Sequence, residues 1–151
     1  MDAMSETLQA LTLVSCENDK IILHEDVLKS ILESEEAKNR RVAIISIAGM
    51  QRKGKSFFLN FVLRYLKSEI AVLLIDTQGL FDLSKNEIID TYIMVLSTLF
   101  SSIQILNHQE DINSSDLKNF EFFAKYGMAL DSKITGIKGF QNLMFLVRDW
   151  K

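Results

Sequence analysis

Residues 41–66 decide the fold, and they read RVAIISIAGMQRKGKSFFLNFVLRYL. Residues 41–48 are nearly all apolar and rich in β-branched side chains, which is typical of a strand buried on both faces of a parallel sheet. Residues 55–67 predict a helix, because apolar side chains recur there at helical spacing. Its expected inward side chains are Phe58, Leu59, Val62, Leu63 and Leu66. The stretch therefore predicts a buried strand, a short loop and a helix.

The loop between this strand and this helix fits the pattern Gly-x-x-x-x-Gly-Lys-Ser. In this context the pattern indicates a phosphate-binding loop, because glycines let the backbone wrap around phosphates and the helix start adds partial positive charge. We expect Lys55 to reach the β- and γ-phosphates and the Ser56 hydroxyl to ligate Mg²⁺. A chance glycine-rich turn is the alternative. The other residues of the predicted nucleotide-binding loop are Gly49, Arg52, Lys53, Gly54 and Phe57.

A second buried strand is predicted over residues 70–75, and it leads directly into Asp76-Thr77-Gln78-Gly79. An acid at the carboxyl end of such a strand can hold the Mg²⁺ shell, and the N–H of a glycine three residues later can sense a γ-phosphate. We therefore add Asp76, Gln78 and Gly79 to the nucleotide-binding set, with Asp76 as a metal ligand beside Ser56. A plain turn is the alternative for this short motif.

Two further candidates each have a simple alternative. A third buried strand is predicted over residues 142–147, and it leads into Arg148 and Asp149. A carboxylate there can accept hydrogen bonds from N1–H and the exocyclic amine of guanine, a pattern that adenine does not offer; an ordinary surface ion pair is the alternative. Arg52 is either a catalytic arginine finger supplied in cis to the transferring phosphoryl group, acting beside Lys55, or a solvent-facing side chain.

Strands and helices alternate along the rest of the chain, as they do in α/β proteins. Residues 10–15 and 20–23 predict an N-terminal β-hairpin. Helices are predicted over 25–38, 87–106 and 116–126, with Gly127 ending the last one. We expect one domain, residues 1–151, with a mostly parallel sheet, helices on both faces and a disordered tail over residues 1–9.

Composition excludes several classes of protein. The 151 residues carry 17 Lys and Arg against 20 Asp and Glu, a net charge of −3, which argues against nucleic acid as a partner. Hydrophobic residues make up 48% and charged residues 25%, an ordinary globular balance. The single cysteine, Cys16, predicts a reducing compartment, and neither a secretory signal nor a membrane span is recognisable. These features predict a cytoplasmic location.

Four segments together resemble the G domain of the atlastins, dynamin-related GTPases that stand beside the guanylate-binding proteins: 44–65, 72–79, 96–104 and 145–150. The resemblance covers nearly all of the chain after residue 9. It implies a P-loop GTPase fold that hydrolyses GTP to GDP with Mg²⁺, driving G-domain dimerisation and homotypic fusion of endoplasmic reticulum membranes. It also implies a location on the cytosolic face of that membrane. Arg52 matches the family's in-cis arginine finger, and Arg148-Asp149 matches its guanine-reading pair.

The interval between Ser56 and Asp76 departs from the family pattern. It has only 19 residues, 57–75, whereas the family has an interval several times longer. The longer interval contains switch I, whose threonine binds Mg²⁺ and helps to hold the attacking water, and an antiparallel edge strand. Leu80 also stands where small GTPases keep a glutamine, and leucine cannot orient water. We therefore expect an incomplete G domain.

Three functions remain open from the sequence. The first is a GTP-binding and GTP-hydrolysing G domain. The second is a catalytically impaired module, a shortened gene product or splice form, that forms homodimers or dimers with full-length relatives and regulates them. The third is a phosphate-loop protein without base preference. GTP and GDP are the expected ligands in the first two cases.

Overall fold

The computed structural model describes residues 10–18, 20–50, 52–66, 70–79, 87–110 and 142–149, with 112, 114, 117, 118, 121 and 125. The tail predicted over residues 1–9 lies outside the described residues. Contacts divide the chain into two compact units, Met1–Asn39 and Arg40–Lys151, each of which is described by itself. The single-domain expectation stays a prediction.

A hairpin opens the first unit, as predicted. Strand β1, Val14–Glu17, pairs antiparallel with β2, Lys20–Leu23, and Asn18 takes a positive φ of 50° in the turn. The first strand lies closer to the turn than the predicted residues 10–15. The reason is the register, in which Glu17 pairs with Lys20 and closes the hairpin at the turn itself.

Helix α1, Glu25–Leu32, is shorter than the predicted 25–38. Residues beyond it form turns, in which the Ser34 carbonyl accepts the N–H of Lys38 at 2.7 Å and the Ser34 hydroxyl accepts that of Ala37 at 3.3 Å. Carboxylates near a helix C-terminus oppose the helix dipole. The predicted last turns hold three of them, Glu33, Glu35 and Glu36, which disfavour continuation of the helix.

Among the described residues, the second unit contains a four-stranded parallel sheet in the order β4-β3-β5-β6. Its strands are β3 (Val42–Gly49), β4 (Ala71–Asp76), β5 (Ile103–Gln109) and β6 (Asn142–Arg148). Helix α2 (Lys55–Tyr65) follows β3, and α3 (Glu87–Phe100) follows β4. This is the predicted α/β class, and no helix among the described residues is long and apolar enough to cross a bilayer.

The core lies on both faces of β3 and β5. Successive strand residues point to opposite faces. Ile47 packs with Leu59 of α2 and Ile105, whereas its neighbour Ala48 packs with Met94 of α3 and Leu106. The two helices therefore cover opposite faces of the sheet, as predicted.

Strand β5 is the main departure from the predicted elements. The sequence predicted one helix over 87–106, but α3 ends at Phe100 and Ile103 begins a strand. A serine pair makes the break: Ser101 bonds back to the Ser97 carbonyl, and the Ser102 hydroxyl accepts the Ile44 N–H at 3.1 Å. The backbone of β5 then pairs with β3 and β6, which satisfies its hydrogen-bonding groups on both sides.

Three smaller predictions were wrong or are confirmed only in part. Helix α2 ends at Tyr65, and Leu66 is 40% exposed because its backbone is extended. Strands β4 and β6 are not buried on both faces, since they lie at the two ends of the described sheet and neither contains a buried residue. Phe145 of β6, for example, is 39% exposed. In the predicted helix 116–126 the described residues are helical, and the Lys125 ammonium holds the pKa of the Glu121 carboxyl below its usual value. Gly127 lies outside the described residues.

Candidate nucleotide site

The predicted site residues collect at one edge of the parallel sheet. All four strands run in the same direction, so their carboxyl ends meet at that edge, where open α/β sheets bind ligands. The loop between β3 and α2 leaves from Gly49, β4 ends at Asp76, and β6 ends at Arg148. The topology therefore brings together groups that are up to about a hundred positions apart in the sequence.

Both glycines of the loop have a positive φ, a backbone conformation that other residues rarely adopt. Gly49 has φ +146°, and a Cβ built on it would lie 2.4 Å from the backbone oxygen of Asn107. Gly54 has φ +72°, and its Cβ would lie 2.7 Å from Nη1 of Arg148. Conformation therefore favours glycine at both positions that the motif fixes. At Gly49 the backbone oxygen of Asn107 also excludes a side chain, whereas at Gly54 the neighbouring group is the end of the flexible Arg148 side chain.

Lys55 lies folded over the loop. Its side chain is buried, and its Nζ donates to the backbone oxygens of Gly49 at 3.1 Å and Met50 at 2.9 Å. The first hydrogen bond along α2 runs from the Phe58 N–H to the Gly54 oxygen at 3.0 Å, so the N–H groups of the first turn face the loop. The side chain of Phe57 is 76% exposed, which leaves its backbone N–H as its contribution to a phosphate site.

The two predicted metal ligands touch each other. The Ser56 hydroxyl, at the start of α2, donates to Oδ2 of Asp76, at the end of β4. Both side chains are exposed, and both offer the oxygen atoms that Mg²⁺ prefers. The residues present therefore fit a magnesium ion that also binds phosphate oxygens.

Thr77 anchors this end of β4, although the sequence did not single it out. Its hydroxyl donates to the Ile47 carbonyl at 2.8 Å, and its N–H reaches the same oxygen at 3.3 Å. After it, Gln78 is exposed and Gly79 is buried. Leu80 lies outside the described residues.

Strand β5 supplies two polar residues that sequence reasoning missed. Asn107 is 2% exposed and donates from Nδ2 to the Lys53 carbonyl at 2.8 Å. Gln109 accepts a hydrogen bond from Nζ of Lys53 through its Oε1. A sequence pattern could have identified them, since each is a polar residue near the carboxyl end of a strand, as Asp76 is. It was hidden because the sequence predicted a helix as far as residue 106.

The neighbours Arg148 and Asp149 point to different partners. Nη2 of Arg148 donates to the Lys53 carbonyl, within the phosphate loop. Asp149 is exposed, has φ +55°, and accepts a hydrogen bond from Nε2 of Gln109 at 3.4 Å. Arg52, at φ +58°, is also exposed, and its guanidinium meets no hydrogen-bonding partner within the described part of the chain.

Comparison with known proteins identifies similar sequences. The family model described as "Guanylate-binding protein, N-terminal domain" matches residues 18–68 and 65–151. Atlastin of Drosophila melanogaster is 35% identical over 185 residues, which cover 89% of this chain and 34% of that protein. Atlastin-3 of Rattus norvegicus is 34% identical over 190 residues, covering 93% and 35%, and Atlastin-1 of Bos taurus is 32% identical over 183 residues, covering 91% and 33%.

The matches also show how this chain differs from these relatives. It spans about a third of their length. Each matched length exceeds the 151 residues of this chain, so the relatives contain positions inside the matched region that this chain lacks. The two family-model matches meet at residues 65–68, at the end of α2.

Proposed function

The chain belongs to the guanylate-binding-protein family of G domains, in its atlastin type, and on this premise we propose that it binds GTP and GDP with Mg²⁺. The contact between Ser56 and Asp76 carries the proposal. It joins the end of the phosphate loop to the end of a different strand, so two oxygen ligands stand within one hydrogen bond of each other. Magnesium held there would neutralise phosphate charge.

Each remaining residue has a role that its position supports. Lys55 gives up carbonyls of its own loop for the β- and γ-phosphate oxygens, because a charged partner forms the stronger hydrogen bond. Gln78 and Gly79 come directly after Asp76, and the N–H of Gly79 would sense the γ-phosphate. Asp149 reads the guanine edge with a carboxylate that is exposed at the sheet edge.

We further propose that GTP hydrolysis by this chain is slow. Arg52 has the exposure that a finger needs to reach the γ-phosphate. However, the interval between Ser56 and Asp76 has no room for the switch I segment implied by the resemblance, so the attacking water lacks one positioning group. Loss of one preorganised contact commonly costs a factor of about 10²–10³ in rate.

A second candidate function is a nucleotide-binding or dimerisation module that regulates longer relatives at the cytosolic face of the endoplasmic reticulum. The positions missing from this chain, and the junction at residues 65–68, favour it. Single-turnover hydrolysis separates the two candidates. A rate at the buffer background, in protein that binds GTP, leaves only the module.

Binding is tested by titrating fluorescent GTP and GDP with and without Mg²⁺, using ATP as the competitor. We expect guanine-selective, Mg²⁺-dependent binding that Lys55→Ala weakens by a factor of about 10² or more. Asn60→Ala, an exposed change on the same helix, is the matched control. No binding at near-millimolar nucleotide, by protein with a cooperative unfolding transition, would contradict the proposal.

Base selectivity has its own test. Asp149→Asn should weaken GTP binding and improve binding of xanthosine triphosphate, because the amide pairs with the oxygen that replaces the amine of guanine. Equal competition by ATP and GTP in the unchanged chain would instead support a phosphate-loop protein without base preference.

A further inference from the structure

Arg148 connects β6 to the phosphate loop. Its Nη2 donates to the carbonyl of Lys53, 95 positions earlier in the chain, and its Nη1 is the atom nearest to the open side of Gly54. The guanidinium therefore lies across the last two residues of the loop before α2 begins. In this place the side chain contacts the loop backbone.

A second donor reaches the same carbonyl from β5. Asn107 donates from Nδ2 to the Lys53 oxygen at 2.8 Å, and its own backbone oxygen is the group that crowds Gly49. Two side chains from two strands thus converge on one loop carbonyl. Both are costly to place there, since Nε of Arg148 and Oδ1 of Asn107 are buried without a hydrogen-bond partner in the described part of the chain.

On the basis of the proposed function, we infer that Arg148 and Asn107, here called the loop brace, are positioning residues for the phosphate tail of the nucleotide. The brace holds the Lys53 carbonyl turned away from the phosphates, so that loop N–H groups face them. Base recognition is left to Asp149. The Arg148-Asp149 pair is then divided between two tasks, although the resemblance assigned both residues to guanine.

Charge supports this division. The loop itself carries Arg52, Lys53 and Lys55, and the brace adds a fourth cation beside Gly54. A cluster of positive charge at a helix start favours a polyphosphate and does not discriminate between neutral bases. Asp149 accepts a hydrogen bond from Gln109 and offers an exposed carboxylate at the β6 end of the site.

Amide hydrogen exchange of the nucleotide-free chain tests the brace without any ligand. Arg148→Ala and Asn107→Ala should speed exchange within residues 52–56 by about tenfold, and Arg148→Lys, which keeps a charged donor, by less. Arg64→Ala, a change at an exposed arginine on α2, is the control and should leave the loop unchanged. Unchanged loop exchange in Arg148→Ala, or faster exchange spread evenly over β3, β5 and β6, would overturn the inference.

Displacement of fluorescent GDP separates the phosphate tail from the base. Inorganic triphosphate competes through phosphate contacts alone, and guanosine through base and sugar contacts alone. Arg148→Ala should weaken the binding of inorganic triphosphate by about tenfold and leave the binding of guanosine unchanged. Asp149→Asn should weaken the binding of guanosine and leave that of triphosphate unchanged. The opposite result for Arg148→Ala assigns it to the base and overturns the inference. If the unchanged chain binds no nucleotide, the proposed function fails, and hydrogen exchange still decides whether the brace exists.

Discussion

The phosphate loop and the outer face of α2 meet at the first turn of one helix, but side-chain contacts hold the loop and leave the outer face exposed. At the loop, Lys55 is buried and the Lys53 carbonyl accepts two side-chain donors. On the outer face of α2, Phe57, Phe61 and Tyr65 are 76%, 54% and 69% exposed. Within the described part of this face, the rings of Phe61 and Tyr65 contact each other, with their centroids 4.6 Å apart.

The two regions also differ in their position relative to the short interval between Ser56 and Asp76. The groups that hold the loop come from β5 and β6, which follow that interval in the chain. The exposed aromatic face instead belongs to α2, which ends at Tyr65, the residue at which the second family-model match begins. The support of the loop is therefore separate from the region in which this chain is short.

The largest expected effect compares the two faces of α2 directly. Leu59 is 5% exposed between Ile47 and Ile105, so Leu59→Ala should lower the free energy of unfolding by about 2–5 kcal/mol. Phe61→Ala removes more atoms, but from an exposed face, and should change it by no more than about 0.5 kcal/mol. Urea unfolding of the two variants measures both values. Equal losses would mean that the outer face is covered in solution.

A smaller effect is expected at the start of the loop. Gly49→Ala forces a Cβ toward the Asn107 backbone oxygen at an unfavourable φ, which should cost about 1–3 kcal/mol of stability. GTP binding should weaken with it, because the loop backbone moves. Urea unfolding and the nucleotide titration measure the two effects, with Asn60→Ala as the control. A variant as stable as the unchanged chain would show that the loop is less tightly held than its contacts indicate.

The smallest effect is expected at Thr77, where the end of β4 joins the site. Thr77→Val keeps the shape of the side chain and removes one buried hydrogen bond, that to the Ile47 carbonyl, which should cost about 0.5–1.5 kcal/mol. The Thr77 N–H still reaches that oxygen, so the cost stays at the low end. Thermal unfolding measures it. A loss as large as that of Leu59→Ala would place the end of β4 among the rigid parts of the site.

Sequence patterns predicted the elements whose signals are local. The hairpin, β3, α2 and the α/β class followed from short-range periodicity, and the loop followed from Gly49, Gly54 and Lys55 at fixed spacing. Strand β5 was missed because Ile103 continues the apolar spacing of α3, and a short apolar run fits a helix as well as a strand. Asn107 and Gln109 were missed with it.

By itself, the sequence determined a phosphate loop between a buried strand and a helix, since the required glycines, lysine and serine lie within eight consecutive residues. Only the tertiary structure decided what holds that loop. Parallel pairing sets Gly49 beside Asn107 and Gln109 beside Arg148, and this register brings side chains from two distant strands to the Lys53 carbonyl. Such contacts depend on strand order and register, which result from the burial of the whole sheet and which no local pattern specifies.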